Sequence, residues 1–391
     1  MEGPIVPGAR GGPLSGLTIV EFAGIGPGPF CGMMLADHGA DVIRIDRANG
    51  SRGGSQPVSS RDVLARGRRS IALDLKSEQG VALARRLCTR ADGLIEGFRP
   101  GVMERLGLGP EELLRDNPKL VYGRMTGWGQ TGPYAHAAGH DINYIALSGA
   151  LAHFGRAGEK PTPPINLVGD FGGGGMMLAF GMVAALLNVA RGGEGQVIDA
   201  AMTDGSAVLM AMLHGMRSMG AWSDERGANI IDTGAPFYDT YQTADGRYVA
   251  IGSIEPQFYA ELRRLAGLAD DPAFDAQHDR ANWPALKEKL AGVFATKTRA
   301  EWDALMEHTD VCYAPVLTMG EAPQHPHNRA RETFVTVGGD IQPAPAPRYS
   351  ATATTTPEPA PLPGTDTDAI LAGLRVAEGE REALRAAGTI G

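Results

Sequence analysis

The segment AGHDINYIALSG, residues 138–149, sets His140 and Asp141 side by side in front of an apolar run. Thirty residues after His140, the segment LVGDFGGGG places Asp170 before four glycines. A histidine and a carboxylate brought from two separate loops are the parts of an acid–base pair, one taking a proton while the other gives one. Each also has a plainer use. Asp170 stands where an apolar segment enters a hydrophobic helix, so it could be an ordinary N-cap. His140 could be a satisfied core or loop histidine. The surroundings favour chemistry. Four consecutive glycines cost backbone entropy, and they make sense where a ligand approaches the backbone and exposed N–H groups hold an oxyanion. His140 closes a long glycine-rich irregular stretch, GRMTGWGQTGPYAHAAGHDINY (123–144), and long loops inside compact domains are often functional. Asp141 is expected to point away from the pair and to be structural, with Tyr144 beside the site. Glu255, in SIEPQFY, lies between a strand and a helix. It is either a surface acid at a helix start or, if a second unit folds over the first, a third member of the site. No cluster has metal-ligand spacing, and GGS and DGS are not nucleophile elbows.

The chain of 391 residues carries a net charge of −9 and is 43% apolar and 21% charged. That is the composition of a soluble globular protein of two or three domains, and the acidic balance argues against general nucleic-acid or membrane binding. One stretch runs the other way. Residues 44–76 hold eight basic groups, among them Arg47, Arg52, Arg66, Arg68 and Lys76, against three acidic ones. Such a patch suits a small anionic ligand, or else is a solvated surface loop. The three cysteines, Cys31, Cys88 and Cys312, are widely spaced and odd in number. They offer neither a disulfide framework nor a zinc site, so a reduced, cytoplasmic protein is expected. The opening MEGPIVPGARGG lacks the apolar core of a signal peptide. The run 176–190 is closer to a buried core helix than to a membrane span.

The elements that must position these residues follow a simple rhythm. LTIVEF (17–22), DVIRID (41–46), RSIALDL (69–75), GLIEGF (93–98) and KLVYGRM (119–125) read as buried strands, with helices over FCGMMLADHG and, capped by Ser77, over 77–92. Alternating strands and helices predict a parallel α/β sheet of Rossmann-like winding. The loop GIGPGP (24–29) is not a dinucleotide fingerprint: Pro29 stands where the third glycine is needed, and Pro27 and Pro29 remove two N–H donors. MMLAFGMVAALLNVARGG (176–193) is apolar almost all round, which predicts a central buried helix. A strand running into a second buried helix is expected over 195–216. A smaller α+β domain is expected over 226–325, leaving 1–225 and 326–391 for the large one. Seven prolines within 343–364 predict an extended connector, followed by two short helices.

Taken together, GPLSGLTIVEFAGIGPGPF, GADVIRIDR, RRSIALDLKSEQG, LIEGFRPGVMERLGLG, YGRMTGWGQTGPY, AGHDINYIALSG, NLVGDFGGG, GQVIDAAMTDG and APLPG, in this order, resemble the class III CoA-transferase (CaiB/BaiF) family nearly end to end. The GHDINY form, with its histidine, resembles the racemase branch. The resemblance implies a large Rossmann-like domain built from both chain ends, a smaller domain between, and two subunits interlocked as a homodimer. It implies an acyl-CoA substrate, with CoA as part of the substrate and no separate cofactor. Arg47, Leu73, Leu75, Lys76, Gly97, Phe98 and Arg99 match places that touch CoA, with Tyr144 beside the reacting groups. For the racemase branch it implies epimerisation at C2 of 2-methylacyl-CoA thioesters by 1,1-proton transfer through an enolate. His140 and Asp170 would be acid and base on opposite faces, and Glu255 would hold the far nitrogen of His140. A backbone N–H at or just after Asp170 would serve the enolate oxygen, and Met176, Met212 and Met216 could line an acyl pocket. The alternative is a CoA-transferase using Asp170 as nucleophile, and a non-catalytic acyl-CoA-binding protein is a third. The natural acyl chain is not legible. For the two-base chemistry Asp170 must be protonated part of the time: a helix N-terminus would lower its pKa and burial would raise it.

Overall fold

The structure is a computed structural model that describes residues 11–48 and 59–391. The opening residues 1–10, and Arg52 of the basic stretch, lie outside the described residues. The chain divides into two compact units: Met1–Ser148, Ile165–Leu209 and Pro326–Gly391 form the larger, Gly149–Pro164 and Met210–His325 the smaller.

In the larger unit the order is β1 (Thr18–Phe22), α1 (Pro27–Asp37), β2 (Asp41–Arg47), β3 (Arg68–Leu73), α2 (Glu78–Cys88), β4 (Gly93–Glu96), α3 (Val102–Arg105), α4 (Pro110–Asp116), β5 (Val121–Thr126) and α5 (Asp141–Leu147). A π-helical segment, Leu167–Met176, then leads into α6 (Met177–Ala190), β6 (Gln196–Ala201) and α7 (Met202–Leu209). The smaller unit holds α8 (Ala211–Ser218), β7 (Tyr238–Gln242), β8 (Tyr248–Gly252), α9 (Pro256–Leu265), α10 (Trp283–Phe294), α11 (Arg299–Met306) and β9 (Tyr313–Pro315). After it come α12 (Pro326–Ala330), β10 (Phe334–Val337), β11 (Asp340–Pro343), α13 (Thr367–Gly373) and α14 (Glu378–Ala386), which rejoin the larger unit.

The six strands of the large sheet run β3-β2-β1-β4-β5-β6, every pairing parallel. This is the doubly wound order, with its switch point between β1 and β4. Helices on both faces make the strands apolar on both sides. Val20, Phe22, Ile43, Ile45, Ile71 and Leu73 pack with α2, α13 and α14. Ile19 and Val42 pack on the opposite face with Leu35 of α1 and Leu178 and Met182 of α6.

That second face also carries a buried row of charge. Glu21 lies in register with Arg44, and Arg44 with Ser70. Arg68 Nε donates to Glu21 Oε2 at 2.9 Å, and Arg66 forks onto Asp37 at 2.6 and 3.1 Å. Arg44 pairs with Asp46 at 3.2 Å on this face, and Arg69 with Asp41 on the other. Half of the eight basic groups of this stretch are therefore structural: four of its arginines are consumed by carboxylates of the same fold. A buried ion pair of this kind is costly to break, because removing one partner strands the other's charge away from water.

The open edge of β3 is covered rather than left bare. Asp366 Oδ2 accepts the Ser70 N–H at 2.8 Å while its own N–H donates to the Ser70 carbonyl at 2.9 Å. Further along, Thr389 O accepts from the Asp74 N–H at 2.8 Å, Ile390 bridges Leu73 antiparallel, and the Gly391 N–H donates to the Ala72 carbonyl at 3.2 Å.

Three expectations change. Helix α6 is not buried all round: it packs Leu178, Met182 and Leu186 on the sheet, but Phe180, Val183 and Leu187 face outward. With the preceding turns it forms a 24-residue helical stretch, Leu167–Ala190, long and apolar enough by length and composition to cross a membrane, and partly buried within the protein. The second buried helix breaks at Met210 into α7 and α8, and α8, in the smaller unit, buries none of its residues. The smaller unit also starts before 226: it includes Gly149–Pro164, whose Arg156 forks onto the buried Asp239 with both contacts at 3.0 Å. In that unit β7, β8 and β9 form an antiparallel sheet packed by α9 and α10 around Phe237, Trp283, Phe294 and Trp302.

Candidate active site

Asp170 is not an N-cap. It lies inside the π-helical segment, and the glycines around it explain why the chain folds this way. A Cβ on Gly173 would come within 2.6 Å of Ser206 N, one on Gly174 within 3.0 Å of Pro27, and one on Gly175 within 2.7 Å of the Phe30 ring. The glycine run therefore admits α7 and α1, not a ligand, and the wider π turn is wedged between those two helices. Phe30 and Phe171 pack at 4.8 Å to finish the joint.

The Asp170 carboxylate is half-buried. Its Oδ2 accepts from Asn166 Nδ2 at 3.1 Å, and a Cβ at Gly26, which has φ 68°, would approach the same oxygen to 3.3 Å. Its backbone N–H donates to Asp141 Oδ1 at 2.6 Å. Asp141 thus does not point away from the pair; it is the buried clamp under it, and its Oδ2 has no hydrogen-bond partner. The Asp170 N–H is engaged by this bond and is not free for an oxyanion. Burial raises the Asp170 pKa above the usual carboxyl value; Asn166 opposes this, the Asp141 charge adds to it, and His140 pulls it back. Burial is the largest of these influences, so the net shift is upward.

His140 is exposed, so the core-histidine alternative fails. It is the N-cap residue of α5, its N–H donating to Asn143 Oδ1 at 3.0 Å. Its imidazole acts on the Asp170 charge, so the two residues expected as a pair do converge in one unit. Among the described residues, the Asp141 N–H at the first turn of α5 has no acceptor. Tyr144, on α5, is buried, its ring edge-on to Trp128 at 4.7 Å. Burial and the Asp170 and Asp141 charges push its hydroxyl up to about 12, with Arg99 opposing. It stands within reach of the Asp170 and Asp141 charges.

A cavity of about 780 Å³ opens at the tips of β1, β2, β3 and β4. Arg47, Leu73, Leu75, Lys76 and Phe98 line it, and Gly97 and Arg99 flank Phe98 in the turn after β4. That turn is held by Glu96, whose Oε2 accepts the Phe98 N–H at 2.7 Å and whose Oε1 accepts from Arg124 Nε at 2.9 Å. Phe98 meets Phe22 edge-on at 6.1 Å across the switch point. Gly388 and Ile390 also line the cavity; no local motif marks them, since only the docking of 388–391 on β3 brings them there. Asn166 carried a fainter signal, four residues before Asp170 and so one helical turn away. Glu255 lies in the smaller unit, exposed, at the N-cap of α9. Of the three methionines, Met176 is in the larger unit, and Met212 and Met216 are on α8 in the smaller. No group of three metal-binding side chains forms among the described residues.

The chain is 54% identical over 328 residues to alpha-methylacyl-CoA racemase of Mus musculus, covering 84% of each chain. It is 50% identical over 325 residues to the Homo sapiens protein of the same name, covering 83% of this chain and 82% of that one. The crystal structure of a CaiB/BaiF family protein from Brucella suis superposes with a TM-score of 0.81 at 28% identity, over 93% of this chain and 100% of that one. Residues 14–367 match CoA-transferase family III, and with the doubly wound sheet and the carboxylate at its switch-point loop, the chain belongs to that family.

Proposed function

We infer that the protein is a 2-methylacyl-CoA racemase, an isomerase that inverts C2 of 2-methylacyl-CoA thioesters. The observation that carries this is the convergence of His140 with a half-buried Asp170 whose pKa is raised. Inversion needs a base on one face of the α-carbon and an acid on the other. Neutral His140 takes the α-proton of one enantiomer, the electron pair passes to the thioester oxygen, and protonated Asp170 returns a proton to the opposite face. The reverse direction exchanges the roles. With the Asp170 N–H engaged, the donor to the enolate oxygen is the Asp141 N–H, next to His140. CoA lies along the cavity, its phosphates at Arg47 and Lys76, and no further cofactor is required.

The working form is proposed to be an interlocked homodimer, supported by the outward apolar side chains of α6. Cys31, Cys88 and Cys312 are all unpaired, which suits the cytoplasm. The test is incubation of one 2-methylacyl-CoA enantiomer in D2O. The racemase incorporates α-deuterium and loses optical purity without any acceptor acid. Asp170→Asn should abolish inversion while His140 still exchanges the α-hydrogen of one enantiomer. CoA moving to an added carboxylate, or inversion surviving in Asp170→Asn, sinks the two-base reading.

A further inference from the structure

We propose that Trp128 is a positioning residue for His140: its indole and the Tyr144 ring grip Gly139, and so fix the direction in which the next residue presents its imidazole. This rests on the two-base reading above and adds to it the device that aims one of the two bases.

An exposed histidine at the end of a loop needs something to hold it. The backbone of 131–139 makes only local hydrogen bonds among the described residues: the Ala135 N–H donates to the Gly132 carbonyl at 3.2 Å and the Ala137 N–H to that of Tyr134 at 2.8 Å. Aromatic rings supply the hold instead. A Cβ on Gly139 would lie 2.7 Å from the Tyr144 ring and 2.9 Å from Cζ2 of Trp128. Both distances are well inside the contact separation of about 3.5–4 Å between carbon atoms. Gly139 is thus pressed against two rings that themselves meet edge-on at 4.7 Å, and only a glycine fits there. Tyr134, from the same loop, adds a second hold, its ring 4.9 Å from that of Trp128.

Trp128 stands on a firm base. The Gly127 carbonyl accepts from the N–H and the hydroxyl of Thr203 at 3.1 and 2.9 Å. The Gly129 N–H donates to Thr126 Oγ1 at 2.9 Å, and the Gln130 N–H to Asp199 Oδ2 at 3.0 Å. The turn after β5 is therefore tied to β6 and α7, and the loop before His140 leans on it. The Trp128 side chain's N–H is buried without an acceptor among the described residues. A Phe at this position would avoid that stranded donor, so stability alone does not account for the indole. The reach of its second ring does, because Cζ2, the atom nearest Gly139, belongs to that ring.

The test reads each face of the α-carbon separately. Each enantiomer of a 2-methylacyl-CoA is incubated with the full-length protein in D2O, and α-deuterium incorporation with retention is followed at early times. The enantiomer that still exchanges in Asp170→Asn is the one His140 serves. In Trp128→Phe and Trp128→Ala its exchange should fall more than tenfold, since a displacement near 1 Å can cost about a hundredfold. KM and the exchange of the other enantiomer should stay close to the parent values. Gly139→Ala, which presses a methyl group against both rings with the indole intact, should give the same one-sided loss. A loss shared equally by the two enantiomers, or no loss in these variants, overturns the proposal. Isotopically labelled histidine gives a readout without turnover. The His140 Cε1–H signal, assigned by its absence in His140→Gln, should shift or broaden in Trp128→Phe, and an unmoved signal likewise overturns the proposal. A parent protein that exchanges neither enantiomer would sink the racemase reading and leave that signal to decide this one.

Discussion

At the scale of single residues, the site is a carboxyl kept weakly acidic beside an imidazole. Asp141 does two things for Asp170: it accepts its N–H, and its charge raises its pKa. Asp141→Asn keeps an oxygen for the N–H and deletes the charge, so the Asp170 pKa must fall. In the proposed two-base mechanism the pair carries one proton. Its acid limb is the loss of the first proton from the doubly protonated pair, and this follows the carboxyl, whose ordinary value of about 3.9 lies below that of imidazole. The acid limb of the kcat profile should therefore move to lower pH in Asp141→Asn. The neutral-His, protonated-Asp form becomes scarcer, so kcat should fall as well. A limb that stays put or moves up would remove Asp141 from this role. The sequence showed His140 and Asp170 because their types and loop settings were suggestive. It misdirected on Asp141, since adjacency in the chain says nothing about which way a helix start turns its first side chain. It also assigned the glycines to a ligand, because a run of small residues reads the same whether a substrate or a helix approaches.

At the scale of elements, the π-helical segment is positioned by packing. Gly205 of α7 crosses Gly173 so closely that a Cβ on Gly205 would overlap the Gly173 carbonyl oxygen. Gly205→Ala must push the segment that carries Asp170. We expect about 1–3 kcal/mol of destabilisation from overpacking, read as a lower denaturation midpoint. Racemisation should drop by more than tenfold at temperatures where the variant is still folded, since a shift near 1 Å can cost about a hundredfold. Full activity with reduced stability would show that Asp170 is held by something other than this crossing. The strands of the large sheet were legible to within two residues because continuous apolar runs bounded by turn residues have few other readings. The hairpin of β10 and β11, the π turn and the split between α7 and α8 were not, because each depends on tertiary contacts that leave no periodic mark.

At the scale of the whole molecule, the outer face of α6 stands out. Met176, Phe180, Val183 and Leu187 recur at helical spacing, and Phe180 and Leu187 are 75% and 57% exposed. A continuous apolar stripe of this kind marks a surface that another surface covers. An all-apolar sequence predicted a helix buried all round, and the structure buries only the side that meets the sheet. Phe180→Asp should lower the oligomeric mass seen by light scattering, and a variant that keeps the parent mass would show that subunits meet elsewhere.

The contact between Gly26 and Asp170 has a wider meaning. In doubly wound sheets the loop after the first strand is where a dinucleotide's pyrophosphate is received. In this chain that seat has a permanent tenant: the protein's own carboxyl is tethered there, competing with any outside anion at a fixed and very high local concentration. The two prolines of the loop are thus only part of the exclusion, and restoring a glycine at Pro29 would not by itself convert the chain into a binder of NAD. The loop that receives a pyrophosphate in dinucleotide-binding sheets is here taken up by a side chain of the same chain, Asp170.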